Sequence, residues 1–278
     1  MKKLAITGVT GKLGGFLAKG LSDQGLEVRH LARRPEVAPQ LMGASIMKTT
    51  YDKSPETLEA LEGIDVLFMV SGHESLTRLQ EHKDFIKTAQ KAGVRHIIYT
   101  SFMNPTPQAT FTLAHDHAHT ESFIKELGMT YTFLRDNFYS DLFLEIAEQS
   151  GQLRGPAGNG RVSSVTRTDV AEVALTILEN PQAWENQVLE LTGPEALSME
   201  QMAKILSKHF EKEISYYPEE LSEAYEWRKQ WPAEDWQYDA WVTTYTAIAK
   251  DELSKVSGDV ERVLGRPAKS FEDLLKSR

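Results

Sequence analysis

Three glycines spaced Gly8-x-x-Gly11-x-x-Gly14 near the start of the chain constrain its fold more than any other feature. Residues 2–7, Lys-Lys-Leu-Ala-Ile-Thr, are short and apolar at the centre and read as a buried parallel strand. Beyond the glycines Leu13, Phe16, Leu17 and Leu21 recur at helical spacing, and Gly25 sits where a helix needs a left-handed terminating residue. A strand that bends at once into a helix, with no β-carbon at the tightest points, lets a diphosphate approach backbone amides at the helix start. The segment Gly8, Thr10, Gly11, Lys12, Leu13 and Gly14 is therefore the predicted dinucleotide-binding bend. Its spacing departs from the commoner G-x-G-x-x-G, and a tight turn without ligand is the alternative reading.

The end of the second strand bears on the choice of cofactor. Residues 27–33 alternate weakly and run into Arg33-Arg34-Pro35. At such a strand end an acidic side chain selects the ribose hydroxyls of NAD, whereas an arginine accommodates the extra phosphate of NADP. No acidic residue precedes Pro35 in this turn, so Arg33, with its planar fork of donors, points to NADP(H). The alternative is a solvated pair of cations.

The alternation continues with strands over 44–48, 64–70, 94–101 and 130–135, separated by helical stretches over 55–61, up to Ala92, and over 114–127. This predicts an α/β fold, a Rossmann-type doubly wound parallel sheet with a smaller C-terminal α/β lobe. The expected division is 1–150 for the NADP(H)-binding domain and 151–278 for a smaller substrate-side lobe, partly interleaved with it. After the turn-rich 151–160 segment the pattern loosens, with a helix over 168–179, a strand over 187–192 and a helix over 198–210. Trp227, Trp231, Trp236 and Trp241 read as the core of that lobe or a cap on its pocket.

Composition excludes several classes. The chain has no cysteine, which removes disulfides, thiolate catalysis and cysteine-bound metals and suits a cytoplasmic protein. No run approaches eighteen apolar residues, so no membrane span is expected, and the initial apolar stretch ends at Thr7 without a cleavage site. A net charge of −9 opposes direct nucleic-acid binding. His115 and His119 share a helical face, but without a third ligand nearby no metal site is expected.

The glycine bend resembles the fingerprint of atypical short-chain dehydrogenases. Further stretches resemble the NmrA-like branch of that superfamily, in particular its NADPH-dependent quinone oxidoreductases: Gly93 to Ser101, His117 to Glu121 with Tyr131 to Arg135, Arg161 to Val165 with Asp169-Val170-Ala171, and Leu191 to Glu195. The resemblance runs over nearly the whole chain. It implies cofactor groups at the carboxyl ends of the strands, here Ser71 and Gly72 after the fourth, Thr100 and Ser101 at the fifth, and Asn137 after the sixth. Relatives often carry Asp where this chain has Thr50, which leaves adenine contacts there open.

Members of the superfamily that reduce simple carbonyls use a Tyr-x-x-x-Lys pair. The family spacing puts His117 at the lysine position and Leu113 at the tyrosine position, and leucine transfers no proton. A quinone depends less on a strong acid, because its ring spreads the added charge. The expected activity is hydride transfer from NADPH to a quinone or similar electron-poor carbonyl compound, a small-molecule acceptor seated by Phe102, Phe138 and Tyr139. Tyr139 or His117 is the candidate catalytic proton donor. The competing reading makes Phe138 and Tyr139 core residues and His117 a ribose contact. A non-catalytic NADP(H)-binding redox sensor acting through a protein partner stands as the second hypothesis, and a homodimer is compatible with either.

Overall fold

The structure, a computed structural model, describes residues 2–276. The first half alternates as β1 (Leu4–Thr7), α1 (Lys12–Asp23), β2 (Val28–Ala32), β3 (Ala44–Lys48), α2 (Pro55–Leu61), β4 (Val66–Met69), α3 (Arg78–Lys91), β5 (His96–Phe102), α4 (Ala114–Glu126) and β6 (Thr130–Asp136). It continues as α5 (Ser140–Ser150), β7 (Gln152–Gly155), β8 (Arg161–Val162), α6 (Arg167–Glu179), β9 (Gln187–Leu191), β10 (Leu197–Ser198), α7 (Met199–Phe210) and β11 (Ser215–Pro218). Four helices close the chain: α8 (Leu221–Arg228), α9 (Asp235–Ala249), α10 (Asp259–Leu264) and α11 (Phe271–Lys276).

Seven strands form the main sheet in the order β3-β2-β1-β4-β5-β6-β9. β1 runs parallel to β2 and β4, β2 to β3, and β4 to β5. The order reverses between β1 and β4, which opens a crevice at their carboxyl ends. This is the expected doubly wound sheet. β1 and β4 are buried at every position, as strands covered on both faces must be. No helix among the described residues is long and apolar enough to cross a membrane.

The chain divides into two compact units. One comprises residues 1–101, 116–135 and 167–189, and the other 102–115, 136–166 and 190–278. The core of the first gathers Leu67, Met69, Phe85, Ile97, Tyr99 and Phe133. Each such side chain contributes about 1.5–3 kcal/mol on leaving water. In this unit α6 lies so near α1 that a β-carbon on Gly20 would come within 2.5 Å of Leu175 Cδ1. The core of the second gathers Phe143, Leu153, Met199, Met202, Leu206 and Phe271. Trp227 on α8 and Trp231 just beyond it are 43% and 50% exposed rather than core. The Arg154 guanidinium lies 3.8 Å from the Trp227 ring centre.

Candidate functional site

The bend between β1 and α1 is built as its glycines require. Gly8 adopts φ +72°, and its carbonyl accepts the Gly11 amide at 2.8 Å. Gly14 packs so closely beneath that a β-carbon there would meet the Gly8 carbonyl oxygen at 2.2 Å. At Gly11 the same addition would meet only that oxygen, at 3.3 Å. Gly11 is also the N-cap of α1, with no side-chain cap and no acidic residue in the first turn. A helix start without a side-chain cap or an acidic first turn is suited to receive an anion.

A cleft of about 670 Å³ opens beside this bend. It is lined by Thr7 to Gly11 at the end of β1, Leu31 to Arg34 at the end of β2, Thr49 to Asp52 after β3, Val70 to His73 after β4, and Glu81 of α3. Of the residues predicted to bind a dinucleotide, Gly8, Thr10, Gly11, Arg33, Ser71 and Gly72 come together here. Arg33 and Arg34 are exposed at the rim, with no ion pair among the described residues. The carboxylate facing the cleft from the third strand end is already engaged. Asp52 Oδ1 accepts hydrogen bonds from Ser54 N (3.0 Å), Ser54 Oγ (2.7 Å) and Thr57 Oγ1 (2.7 Å), and Oδ2 accepts from Thr50 Oγ1. Burial opposes the charge, yet these bonds hold its pKa down to about 2.

Thr49 Oγ1 is buried on this lining without a partner among the described residues, a polar atom for which a bound group could supply the missing hydrogen bond. The glycine cradle, the uncapped helix start, two cations and this orphaned hydroxyl all fit a phosphorylated dinucleotide.

Two residues that sequence reasoning did not single out support this lining, Tyr51 as part of it and His82 buried behind it. Tyr51 donates its hydroxyl to Val70 O and meets Thr7 Oγ1 at 2.7 Å. Burial raises its pKa, only partly offset by Thr7 and by the charge of Arg33. His82 of α3 accepts the Gly72 amide at 2.8 Å.

The remaining predicted residues lie elsewhere. Lys12 is exposed as the first residue of α1, and Leu13 and Gly14 are buried beneath the bend. Thr100 Oγ1 accepts the Ser71 amide at 2.8 Å, a position behind the cleft wall. Ser101 donates to Glu121 Oε1 (2.6 Å), and Glu121 is gripped by Arg135 through Nε (2.9 Å) and Nη2 (2.6 Å). His117 is buried with Nδ1 2.9 Å from Tyr99 OH, and burial, then Arg78 and His82, holds its pKa well below 6.5. In the second unit the Asn137 side-chain amide donates to Ser163 Oγ and Leu253 O, both at 2.9 Å. Phe102 and Phe138 are buried with Phe111, ring centres 4.8–5.1 Å apart. His115 Nε2 is 2.9 Å from Ala109 O.

Tyr139 is half-buried just past β6 and donates to Asp136 Oδ2 at 2.7 Å. Asp136 Oδ1 is buried with no partner among the described residues. Burial, partly offset by the Tyr139 bond, raises this carboxyl to about 7. Nothing in the sequence marks Asp136, since its shift arises from burial alone.

Comparison with known proteins agrees with this architecture. The model of the NmrA-like family matches residues 1–227. Quinone oxidoreductase 2 of Escherichia coli K12 is 32% identical over 228 residues, 80% of this chain and 78% of that protein. An NAD(P)H azoreductase of Xenophilus azovorans is 28% identical over 279 residues, 99% of this chain and 97% of its own. The crystal structure of the NADPH-dependent quinone oxidoreductase of Escherichia coli complexed with NADPH superposes with a TM-score of 0.91 at 27% identity, covering 99% of both chains.

Proposed function

This chain belongs to the NmrA-like family, and from that premise we propose that it is an NADPH-dependent oxidoreductase that reduces quinones or similar electron-poor carbonyl compounds. The observation that carries this reading is the pair Arg33 and Arg34 on the rim of the cleft formed by the glycine bend. An acidic residue there would repel the 2′-phosphate of NADPH, whereas two exposed guanidinium groups attract it. The relatives named as a quinone oxidoreductase and an NAD(P)H azoreductase support both the cofactor and the acceptor class.

In this reading the amides at the start of α1 hold the diphosphate, and Ser71 and Gly72 wall the cleft beside it. Bound NADPH supplies the hydride. Hydride and one proton together convert a quinone into a hydroquinone, so the protein has to deliver only that proton. Tyr139 is the proposed donor, and Asp136, raised to about 7, is positioned to return a proton to it through their 2.7 Å bond. Neutral His117 is suited to orientation rather than donation. Phe102 and Phe138, buried with Phe111, are the proposed aromatic residues of the acceptor side.

NADPH oxidation followed at 340 nm with a panel of quinones tests the proposal. Acceptor-dependent turnover is expected, and Tyr139→Phe should lower kcat while leaving NADPH affinity unchanged. Tight NADPH binding with no acceptor-dependent oxidation would reject the enzyme in favour of an NADP(H)-binding regulator. One observation favours that second reading: Leu113 at the tyrosine position packs against the core of the second unit and presents no acid.

A further inference from the structure

Beyond Met69 the β4 ladder ends, and four backbone groups of residues 70–72 are bonded by side chains from four different segments. Val70 N donates to Thr7 Oγ1 at 2.9 Å, and Val70 O accepts from the Tyr51 hydroxyl. Ser71 N donates to Thr100 Oγ1, and Gly72 N donates to His82 Nε2, both at 2.8 Å. The chain leaves the sheet along a path fixed by these contacts. Thr7 and Thr100 belong to the strands beside β4, so they move only with the sheet. His82 alone reaches in from a helix.

We propose that His82 is a positioning residue for the dinucleotide, aiming the strand end Ser71-Gly72 by accepting the Gly72 amide proton. The inference rests on the NADPH reading above. In a planar trans peptide the N–H and the preceding C=O point opposite ways. With no cis bonds among the described residues, holding Gly72 N–H on His82 turns the Ser71 carbonyl away from α3. The strand end therefore keeps the Ser71 and Gly72 amides on the protein side and leaves the Ser71 carbonyl as an acceptor for hydroxyl or amide donors of the ligand.

The imidazole is equipped for this task. To accept at Nε2 it must be neutral and carry its proton on Nδ1. Nδ1 lies 2.9 Å from Thr120 Oγ1, and the Thr120 hydroxyl is spent on Asp116 O at 2.7 Å, so Thr120 can only accept from the ring. The tautomer is thereby fixed from the side away from the cleft. Complete burial, reinforced by Arg78, pushes the ring pKa down to about 3 and keeps it neutral at working pH. The ring is also held edge-on to Tyr51, which stacks on Phe85 with centres 4.4 Å apart. Gly72 seats directly on this wall, since a β-carbon there would meet His82 Nε2 at 3.1 Å.

His82→Leu, His82→Gln and Thr120→Val test the proposal, with NADPH Kd by calorimetry, apo-protein Tm, and KM for each substrate. Losing one buried hydrogen bond raises the NADPH Kd about tenfold in His82→Leu. Glutamine keeps an acceptor in reach and returns Kd to within about threefold of wild type. Thr120→Val releases the tautomer and weakens NADPH without touching the cleft. The rise appears in the KM for NADPH and not in that for the acceptor, whatever the change in Tm. Should His82→Leu not fold, the other two variants and a trans-hydrogen-bond nitrogen coupling between Gly72 and His82 in wild type carry the test. Equal NADPH affinity in the folded variants and wild type, failure of glutamine to rescue His82→Leu, or an absent coupling overturns the proposal alone. Wild-type protein that binds no NADPH overturns the cofactor reading with it.

Discussion

Arg33→Glu should separate NADPH from NADH. Arg33 is exposed at the cleft rim without an ion pair among the described residues, so its attraction for a phosphate is screened by water. A charge-assisted hydrogen bond contributes about 1.5–3 kcal/mol, and exposure places this one at the lower end. At about 1.4 kcal/mol per decade, removing it raises Kd roughly tenfold. The introduced carboxylate then faces a phosphate carrying about −1.5 to −2 charges. At about 6 Å and an effective dielectric constant of roughly 40–80, each pair of unit charges repels by about 0.7–1.4 kcal/mol, which adds about another tenfold. NADPH Kd should therefore rise about a hundredfold, while NADH, lacking that phosphate, changes by less than about threefold. Calorimetric titration of both cofactors at low and high salt measures this, and the NADPH loss should shrink as salt rises. Equal loss of the two cofactors would refute the reasoning, because it would mean that Arg33 supports the fold or the common half of the ligand.

The two inner glycines should fail differently. Gly14→Ala drives a methyl into the Gly8 carbonyl and costs at least about 2 kcal/mol in urea denaturation, whereas Gly11→Ala keeps apo-protein stability within about 0.5 kcal/mol but obstructs the diphosphate and raises NADPH Kd. Arg135→Met strands the buried Glu121 carboxylate and should destabilise by about 3 kcal/mol, most of it restored when Glu121→Gln is added. Asp136 has a folded pKa of about 7 against 3.8 unfolded, so its contribution to stability is fully present below about 4 and is lost as pH rises through 7. Asp136→Asn should accordingly be more stable than wild type at pH 8, with a wild-type profile that falls between pH 4 and 7 where the variant's stays flatter. Denaturation midpoints across pH measure this, and parallel profiles would show that the carboxyl is not raised.

The parts of the fold legible in the sequence are those where a single local pattern decides. β1, the glycine bend and α1 follow from an apolar run, three residues without β-carbons and a helical stripe, and the structure has each in place. β4 is a short apolar run and β5 a run buried at every position, as strands covered on both faces must be. Helix α5 is not among the elements expected from the sequence, although Phe143, Leu144 and Ala147 share a buried face and Gly151 ends it at φ +68°. Helix α8 offers almost no apolar signal, since it buries only Ala224 and Arg228, the latter paired with Glu219. At the site, backbone-driven features such as the bend and Arg33 could be read from spacing. The Thr7–Tyr51 contact spans 44 residues, and the Gly72–His82 bond depends on a helix face meeting a strand end. Such pairings exist only once the sheet is assembled.

The side chains missing from this molecule narrow its chemistry as much as those it holds. Reduction of an isolated carbonyl concentrates charge on one oxygen, so the enzyme must set an acid against that oxygen, the task of a tyrosine with its lysine. At the positions that the family spacing assigns to that pair stand Leu113, half-buried against an apolar core, and His117, kept neutral by burial and bonded to Tyr99. The pair cannot be restored by a rotamer change, because neither side chain has a proton to give near neutrality. A conjugated acceptor relieves that demand by distributing the charge itself. The cleft meanwhile invests in rigid recognition, with strand-end groups fixed by Thr7, Tyr51, Thr100 and His82. Such an arrangement suits the proposed reduction of acceptors activated by their own electronic structure, in which catalysis would rest on holding the cofactor still.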